Sequence, residues 1–337
     1  MAYTRHTWQS GEVISSALLN NIEDGIEEAA SSGVSLKFVK DSEGSYEEGG
    51  ETITYTGSVI EGMVSDDIPE EYRNKATGTF AHAEGGNAYP EDNEYYPNTA
   101  SGKASHAEGS GTTASGFSSH AEGSGTTASG AYCHAEGLGT TASGDDSHAE
   151  GSDTTASGFS SHAEGNVTIA SGSASHAEGN GTTASMAYSH AEGNGTTASG
   201  DDSHAEGSDT TASGDDSHAE GSGTTASSAC CHAEGWYTTA SGFSSHAEGD
   251  STIANHNAQH VFGAYNIEDP STDTTSRRGT YIEIVGNGTN NNRSNARTLD
   301  WSGNEVLSGT LTATGITIGS TSVTEAQLQS LLALLNT

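Results

Sequence analysis

The sequence predicts an all-β protein organised as a parallel β-roll of 14-residue repeats, with short helices and small β modules at its ends. Two observations carry this reading. The first is a phrase. His-Ala-Glu-Gly occurs twelve times, first at His82 and then at a constant step of 14 from His106 to His246, and a degraded copy, His260-Val261-Phe262-Gly263, keeps that step. A fixed period this short marks a solenoid, in which each repeat is one coil stacked on the next. The second is the pattern inside the repeat. In Ser119-His120-Ala121-Glu122-Gly123, strand alternation sets Ser, Ala and Gly on one face and His and Glu on the other. In Thr126-Thr127-Ala128-Ser129, Thr126 and Ala128 share a face, and Gly123 and Gly130 punctuate the two strands. Fourteen residues hold two short strands and two turns but are too few for a helix-turn-helix unit.

Composition alone argues the opposite. A formal charge of −36 with only 31% hydrophobic residues is the signature of a disordered chain. Disorder, however, gives no reason to hold a register through a dozen copies. An interior of Ala, Ser and Thr buries little area per ordered residue, so self-association belongs to the fold hypothesis.

The unit Ser-His-Ala-Glu-Gly-x-x-Thr-x-Ala-x-Gly-x-x resembles the head repeat of trimeric autotransporter adhesins and haemagglutinins, Ser-Val-Ala-Ile-Gly-x-x-Ser-x-Ala-x-Gly-x-x. The likeness covers residues 80–263, about half the chain. It implies a left-handed parallel β-roll, a homotrimer, and a Val/Ile face turned toward the threefold axis. This chain departs from the pattern where it matters: His and Glu stand at the Val and Ile positions.

Residues 1–33 read as an N-terminal helical segment. Ser16 caps a helix in which Leu18, Leu19, Ile22, Ile26 and Ala29 form one apolar stripe, suited to a three-chain bundle or to packing on the chain's own domain. No secretory signal and no membrane span is read in the sequence. The stretch from Trp8 to Ile26 resembles the start of fibre proteins in phages of Gram-positive bacteria, which implies an end that docks to other virion proteins. Residues 34–80 read as a small β collar with strands Ser35–Val39 and Glu51–Thr56 around the loop 41–50.

The roll proper is taken as 81–263. A 10-residue insertion within Gly86–Thr99 must leave it at a turn, because an insertion in a strand would break register. Its Tyr89, Tyr95 and Tyr96, with Phe117, Phe159 and Phe243 at equivalent turns, are the candidate contacts for a host cell-surface glycan; the alternative is packing on the collar or on a neighbouring chain. Asp pairs at 145–146, 201–202 and 215–216 read as solvated turns. Met186, Ser228 and His256 replace the Gly that ends the Thr-Thr-Ala-Ser strand, so Gly is preferred there rather than required. The odd count of Cys133, Cys230 and Cys231 at Ser-like positions reads as buried thiols made in a reducing cytoplasm.

Residues 264–323 form a C-terminal β module. Arg277, Arg278, Arg293 and Arg297 follow a stretch, 104–276, with no Lys or Arg, and Tyr281–Thr289 with Arg293–Asn304 resemble a module of phage fibre C-termini. Residues 324–337 then read as a trimerisation helix. Thr324-Glu-Ala-Gln327 is a capping box, and Leu328, Leu331, Leu332 and Leu335 share one face.

The ladder dominates the site analysis. The resemblance places His106 and Glu108, His120 and Glu122, His134 and Glu136, His148 and Glu150, His162 and Glu164, His176 and Glu178, His190 and Glu192, His204 and Glu206, His218 and Glu220, His232 and Glu234, and His246 and Glu248 around the trimer axis. Each Glu is expected to take a hydrogen bond from a His, chiefly one of a neighbouring chain, with some His protonated, the His pKa raised and the Glu pKa lowered. The alternatives are a solvent-facing ladder, or a metal ion on the axis, since imidazole and carboxylate suit Zn²⁺ or Ni²⁺; no other cofactor is implied. A uniform ladder offers no single preorganised pocket, so no enzyme is expected. The missing basic footprint opposes nucleic-acid binding. The reading that remains is a structural phage fibre in the virion, a tail or receptor-binding fibre that mediates host adhesion, with the N-terminus on the particle. The alternative is a head (capsid) fibre or spacer without receptor contact.

Overall fold

The computed structural model describes residues 36–38, 46–48, 51–53, 58–61, 69–89, 94–312, 315–318, 321–324, 326–327, 329–330 and 333. The helix expected within 1–33 and the leucines Leu328, Leu331, Leu332 and Leu335 lie outside these residues. The chain divides into two compact units, Met1–Gly223 and Thr224–Thr337. Both contain parallel β-solenoid.

In the first unit each coil from His106 onward contributes one five-residue strand, such as His120–Ser124, alternating with two-residue strands such as Thr127–Ala128. Each pairs in parallel with its copy 14 residues away, His120 facing His134 and Thr127 facing Thr141. Two stacked sheets result, bonded between coils by contacts such as His120 N to Cys133 O and Thr127 N to Thr140 O, at 2.9 and 2.8 Å. The interior is as thin as the sequence predicts. Ala121, Ala128 and Thr126 are fully buried and Ser119 nearly so. Ser119 Oγ donates to Gly116 O at 2.9 Å, and Ser161 and Ser175 repeat that bond to Gly158 and Gly172. Cys133 takes the same place, with Sγ 2.9 Å from Gly130 O.

The Gly that follows Glu departs from the expected alternation. Gly123 is exposed rather than inside, because its φ of +107° turns the chain out of the strand. The opposite turn of each coil also carries a positive φ, at Tyr132 (57°), Asp146 (56°) and Asp202 (53°). Asp tolerates this left-handed conformation better than most residues. The first Asp of each pair has a structural task as well. Asp145 Oδ1 accepts from Ala131 N at 2.9 Å, and Asp201 and Asp215 repeat the contact to Ala187 N and Asp201 N. These pairs therefore stitch one turn to the next and are more than solvated loops.

The ladder begins upstream of the first His-Ala-Glu-Gly. Val59–Glu61 pairs in parallel with His82–Gly85, and Lys75–Ala76 pairs with Thr99–Ala100. Within the collar, Leu36–Phe38 lies antiparallel on Val59–Glu61, while Glu51–Ile53 forms a hairpin with Tyr46–Glu48 inside the expected loop. The insertion leaves at a turn as required: Asn87–Tyr89 and Glu94–Tyr96 form an antiparallel hairpin, and His82 still faces His106. Asn74 and Asn98 occupy the Thr position of these first coils. Asn98 is fully buried; its Oδ1 accepts from Thr112 N at 2.9 Å, and its Nδ2 donates to Gly109 O at 2.9 Å.

In the second unit the coils run to His260–Ala264, and the C-terminal module continues their sheet. Tyr281–Asn287 pairs in parallel with His260–Ala264, and Asn295–Asp300 and Glu305–Leu307 follow antiparallel. Val261 and Ile284, both fully buried, replace the usual interior Ala with larger apolar groups. This arrangement covers a parallel edge that would otherwise template pairing with another chain. The loop between is held by Asp269. Its carboxylate is buried and accepts from Thr280 N at 2.6 Å, Tyr281 N at 2.8 Å and Ser271 N at 3.0 Å. Three of the arginines are used internally. Arg293 donates to Ser251 O and Asn266 O, Arg297 pairs with Glu283 and Glu305, and Arg278 lies over the Trp301 ring. Further on, Thr324 ends the strand Thr321–Thr324, and Ser330 Oγ donates to Ala326 O within helical backbone.

Candidate functional site

Because Ala points inward, the His and Glu that flank it point outward, and stacking in phase turns each into a column. In the first unit consecutive imidazoles stack nearly parallel, with His106 and His120 4.7 Å apart at 1° and His148 and His162 4.9 Å apart at 7°. In the second unit His232 and His246 stack at 4.7 Å. The side chains are about one third exposed, 33% for His106 and 32% for Glu108. In the first unit the imidazole Nε2 atoms lie 3.5–4.0 Å from carboxylate oxygens of the column beside them. His106 is 3.6 Å from Glu84 Oε1 and 3.6 Å from Glu108 Oε2, and His120 is 3.9 and 3.8 Å from Glu108 Oε1 and Glu122 Oε2. The ladder residues that the sequence singled out are therefore brought together within each unit, and His106, His120 and His204 each lie within 4.0 Å of the Glu of their own coil and of the coil before.

Within the single chain, like groups along each column set the electrostatics. Burial, followed by the charge of neighbouring imidazoles, holds His106, His120, His134 and His204 below the ordinary imidazole value; burial does the same for His148. The rise expected from pairing across chains is absent within the single chain. The carboxyls alternate. Hydrogen bonds between successive Glu side chains push Glu108, Glu136, Glu178 and Glu206 up to about 7, and the same bonds push Glu122, Glu164 and Glu192 down. Neighbouring carboxylates share a proton because two stacked negative charges repel.

These directions set a pH optimum. A raised Glu contributes stability that is complete below the unfolded value of 4.5 and is lost as pH rises through about 7. The lowered Glu residues contribute above 4.5 and lose that share in acid. The lowered His residues contribute above 6.5 and lose their share as pH falls. The melting temperature is therefore expected to be highest between 4.5 and 6.5, the two unfolded values. A melting temperature that climbs steadily from about pH 5 to about pH 8 overturns this.

The family model described as the YadA head domain repeat matches residues 107–132, 135–161, 191–217 and 205–227. The roll is an adhesin-type head-repeat β-roll. No curated protein matches the chain. The matched stretches contain both the Ala, Gly, Ser and Thr framework that builds this roll and the His and Glu of its outer face.

The candidate ligand contacts on the head-repeat roll divide. Tyr95 stacks on Tyr72 at 4.7 Å and 13°, so the insertion packs on the collar and this ring is not a free contact. Tyr96 is exposed, and Tyr89 is placed only as the end of its strand. Phe117, Phe159 and Phe243 are exposed at the turns, with Phe117 edge-on to Tyr132 at 5.2 Å. Sequence reading missed a second aromatic pair on the other turn edge: Trp236 and Tyr237, both exposed, meet edge-on at 5.2 Å. The signal was available, since five other coils carry Ser-Gly or Asn-Gly there and no other His-Ala-Glu-Gly coil carries an aromatic residue. It also missed an Asn ladder, where Asn180 Nδ2 donates to Asn166 Oδ1 and Asn194 Nδ2 to Asn180 Oδ1, at 2.9 and 3.1 Å. Cys133 and Cys231 are buried thiols, the former pushed up to about 11 by burial, but Cys230 is exposed, because it sits at the positive-φ turn. Among the described residues no helix is long and apolar enough to cross a membrane.

Proposed function

We propose that this chain is a homotrimeric structural fibre of the virion, a phage tail or receptor-binding fibre that presents an adhesin-type roll to the bacterial surface, without catalytic activity. The observation that carries the reading is the repeated coil itself. It is a head-repeat roll whose outer ladder face carries stacked polar side chains that remain one third exposed in a single chain. A thin interior of Ala, Ser and Thr supports such a coil poorly alone, and three copies sharing the ladder face supply the missing burial. The resemblance of residues 8–26 and 281–304 to phage fibre ends supports the virion context, and the exposed turn aromatics support glycan contact.

Sedimentation of the purified chain is expected to show a folded trimer; a folded monomer with intact β signal refutes the assembly. Chains labelled at residue 1 should image at the particle and those labelled at residue 337 away from it, and the reverse pattern refutes the orientation.

A further inference from the structure

We propose that the His–Glu ladder is a chain of carboxylate-bridged sites for first-row divalent transition metal ions, one imidazole nitrogen and two carboxylate oxygens to a site.

The geometry that points there is the direction of each Glu. In successive coils one carboxylate oxygen faces the imidazole of its own coil and the other faces that of the next. Glu84 sets Oε2 3.6 Å from His82 and Oε1 3.6 Å from His106; Glu108 sets Oε2 3.6 Å from His106 and Oε1 3.9 Å from His120. His204 repeats the arrangement, 3.8 Å from Glu192 Oε1 and 4.0 Å from Glu206 Oε2. These separations are too long for hydrogen bonds. They are near the spacing of two ligands on one ion, since metal–nitrogen and metal–oxygen bonds of about 2.1 Å opened to about 120° put the ligand atoms about 3.6 Å apart. The triad Glu136–His148–Glu150, one imidazole and two carboxylates, holds its ligand atoms within 4.8 Å of one another.

The Nε2 atoms of His82, His106, His120, His134 and His148 are shielded from water and have no hydrogen-bond partner. A shielded nitrogen without a partner is costly in an all-protein account. With the proton on Nδ1, its lone pair is free for an ion. Parallel rings keep each lone pair in its own layer, so stacked imidazoles do not converge on one ion, and the remaining ligands come from the carboxylates above and below. Nothing in the roll's packing requires these groups, because the interior is built by Ala, Ser and Thr. Imidazole nitrogen with carboxylate oxygen selects the first-row divalent series over Mg²⁺. The inference needs only a single chain and stands or falls apart from the fibre reading.

The test is equilibrium dialysis of the full chain against Zn²⁺, with Mg²⁺ as control and metal counted by atomic emission. Saturable, chelator-reversible uptake of more than one Zn²⁺ per chain is expected, without matching Mg²⁺ uptake. The variant Glu108→Gln/Glu122→Gln/Glu136→Gln should bind Zn²⁺ at least tenfold more weakly at the coils it alters and show a lower stoichiometry. Absence of Zn²⁺ uptake overturns the proposal, and so does uptake unchanged in the variant, which would leave the carboxylates outside the site. Should the triple variant fail to fold, Co²⁺ spectra of Glu122→Gln decide. Its visible bands must weaken relative to the parent, and an unchanged spectrum overturns the proposal.

Discussion

Gly165→Ala is expected to destroy the roll around it, at a cost of about 3 kcal/mol or more. Gly165 has φ +111°, and a Cβ there would stand 2.1 Å from Gly179 O and 3.0 Å from Gly179 N. Those atoms belong to the backbone of the next coil and cannot rotate aside. Moving them breaks the in-phase pairing of His162–Asn166 with His176–Asn180, and a parallel ladder that slips by one residue turns every inward Ala outward. Gly125→Ala is the control. Gly125 also has a positive φ, +67°, but nothing lies within 4 Å of an added Cβ. It should cost only about 1 kcal/mol, in keeping with the Asp153, Val167 and Tyr237 that occupy equivalent positions at similar φ. Urea melts of the two variants test the contrast. Equal midpoints would show that backbone strain, and not contact between coils, sets the requirement for Gly.

Asp269→Ala is expected to release the C-terminal module from the coil it caps. The change strands the Thr280 and Tyr281 amides beside a buried cavity and removes the bond to Ser271 N. A stranded donor costs about 1–3 kcal/mol when buried; these amides are part-buried, so a total of about 2 kcal/mol is expected. Tyr281–Asn287 should then leave His260–Ala264 and expose its edge. Limited proteolysis should cut between residues 264 and 281, and the protein should associate through the freed edge. Asp269→Asn keeps one acceptor oxygen and should fall between the parent and Asp269→Ala. Resistance of Asp269→Ala to protease equal to that of the parent would assign the loop's order to the Arg293 and Trp301 contacts instead.

The repeat itself was legible because its information is periodic. Ser119, Ala121, Thr126 and Ala128 could be set inside and His120 and Glu122 outside from alternation alone, and the structure places them so. The insertion hairpin was legible for the same reason, since register forbids ten extra residues anywhere but a turn. Features that depend on one coil reading its neighbour were not. Asp145 looks like a solvated turn residue until Ala131 N is found 2.9 Å away on the previous coil. Tyr95 looks like a sugar platform until Tyr72, 23 positions earlier, is found stacked on it. The coil at Val59–Glu61 keeps the repeat's Ser58, Glu61 and Gly62 but has Val and Ile for His and Ala, and it stands outside the 14-residue step, so hydrogen-bond pairing is what reveals it.

The ladder shows the same division. Sequence by itself determined that His and Glu share the outer face and recur with every coil, because strand alternation and a constant period leave no other placement. Only the tertiary structure decided what the groups do to one another. Stacking at 4.6–4.9 Å brings like against like along the first unit's column, His on His and Glu on Glu. Burial and imidazole repulsion then lower the His residues, and neighbouring carboxyls share protons, where a pairwise reading of the sequence expects each His raised by its Glu. The physical reason is that charge interactions fall off with distance in space, and distance between coils is a property of the fold that no local pattern of residues states.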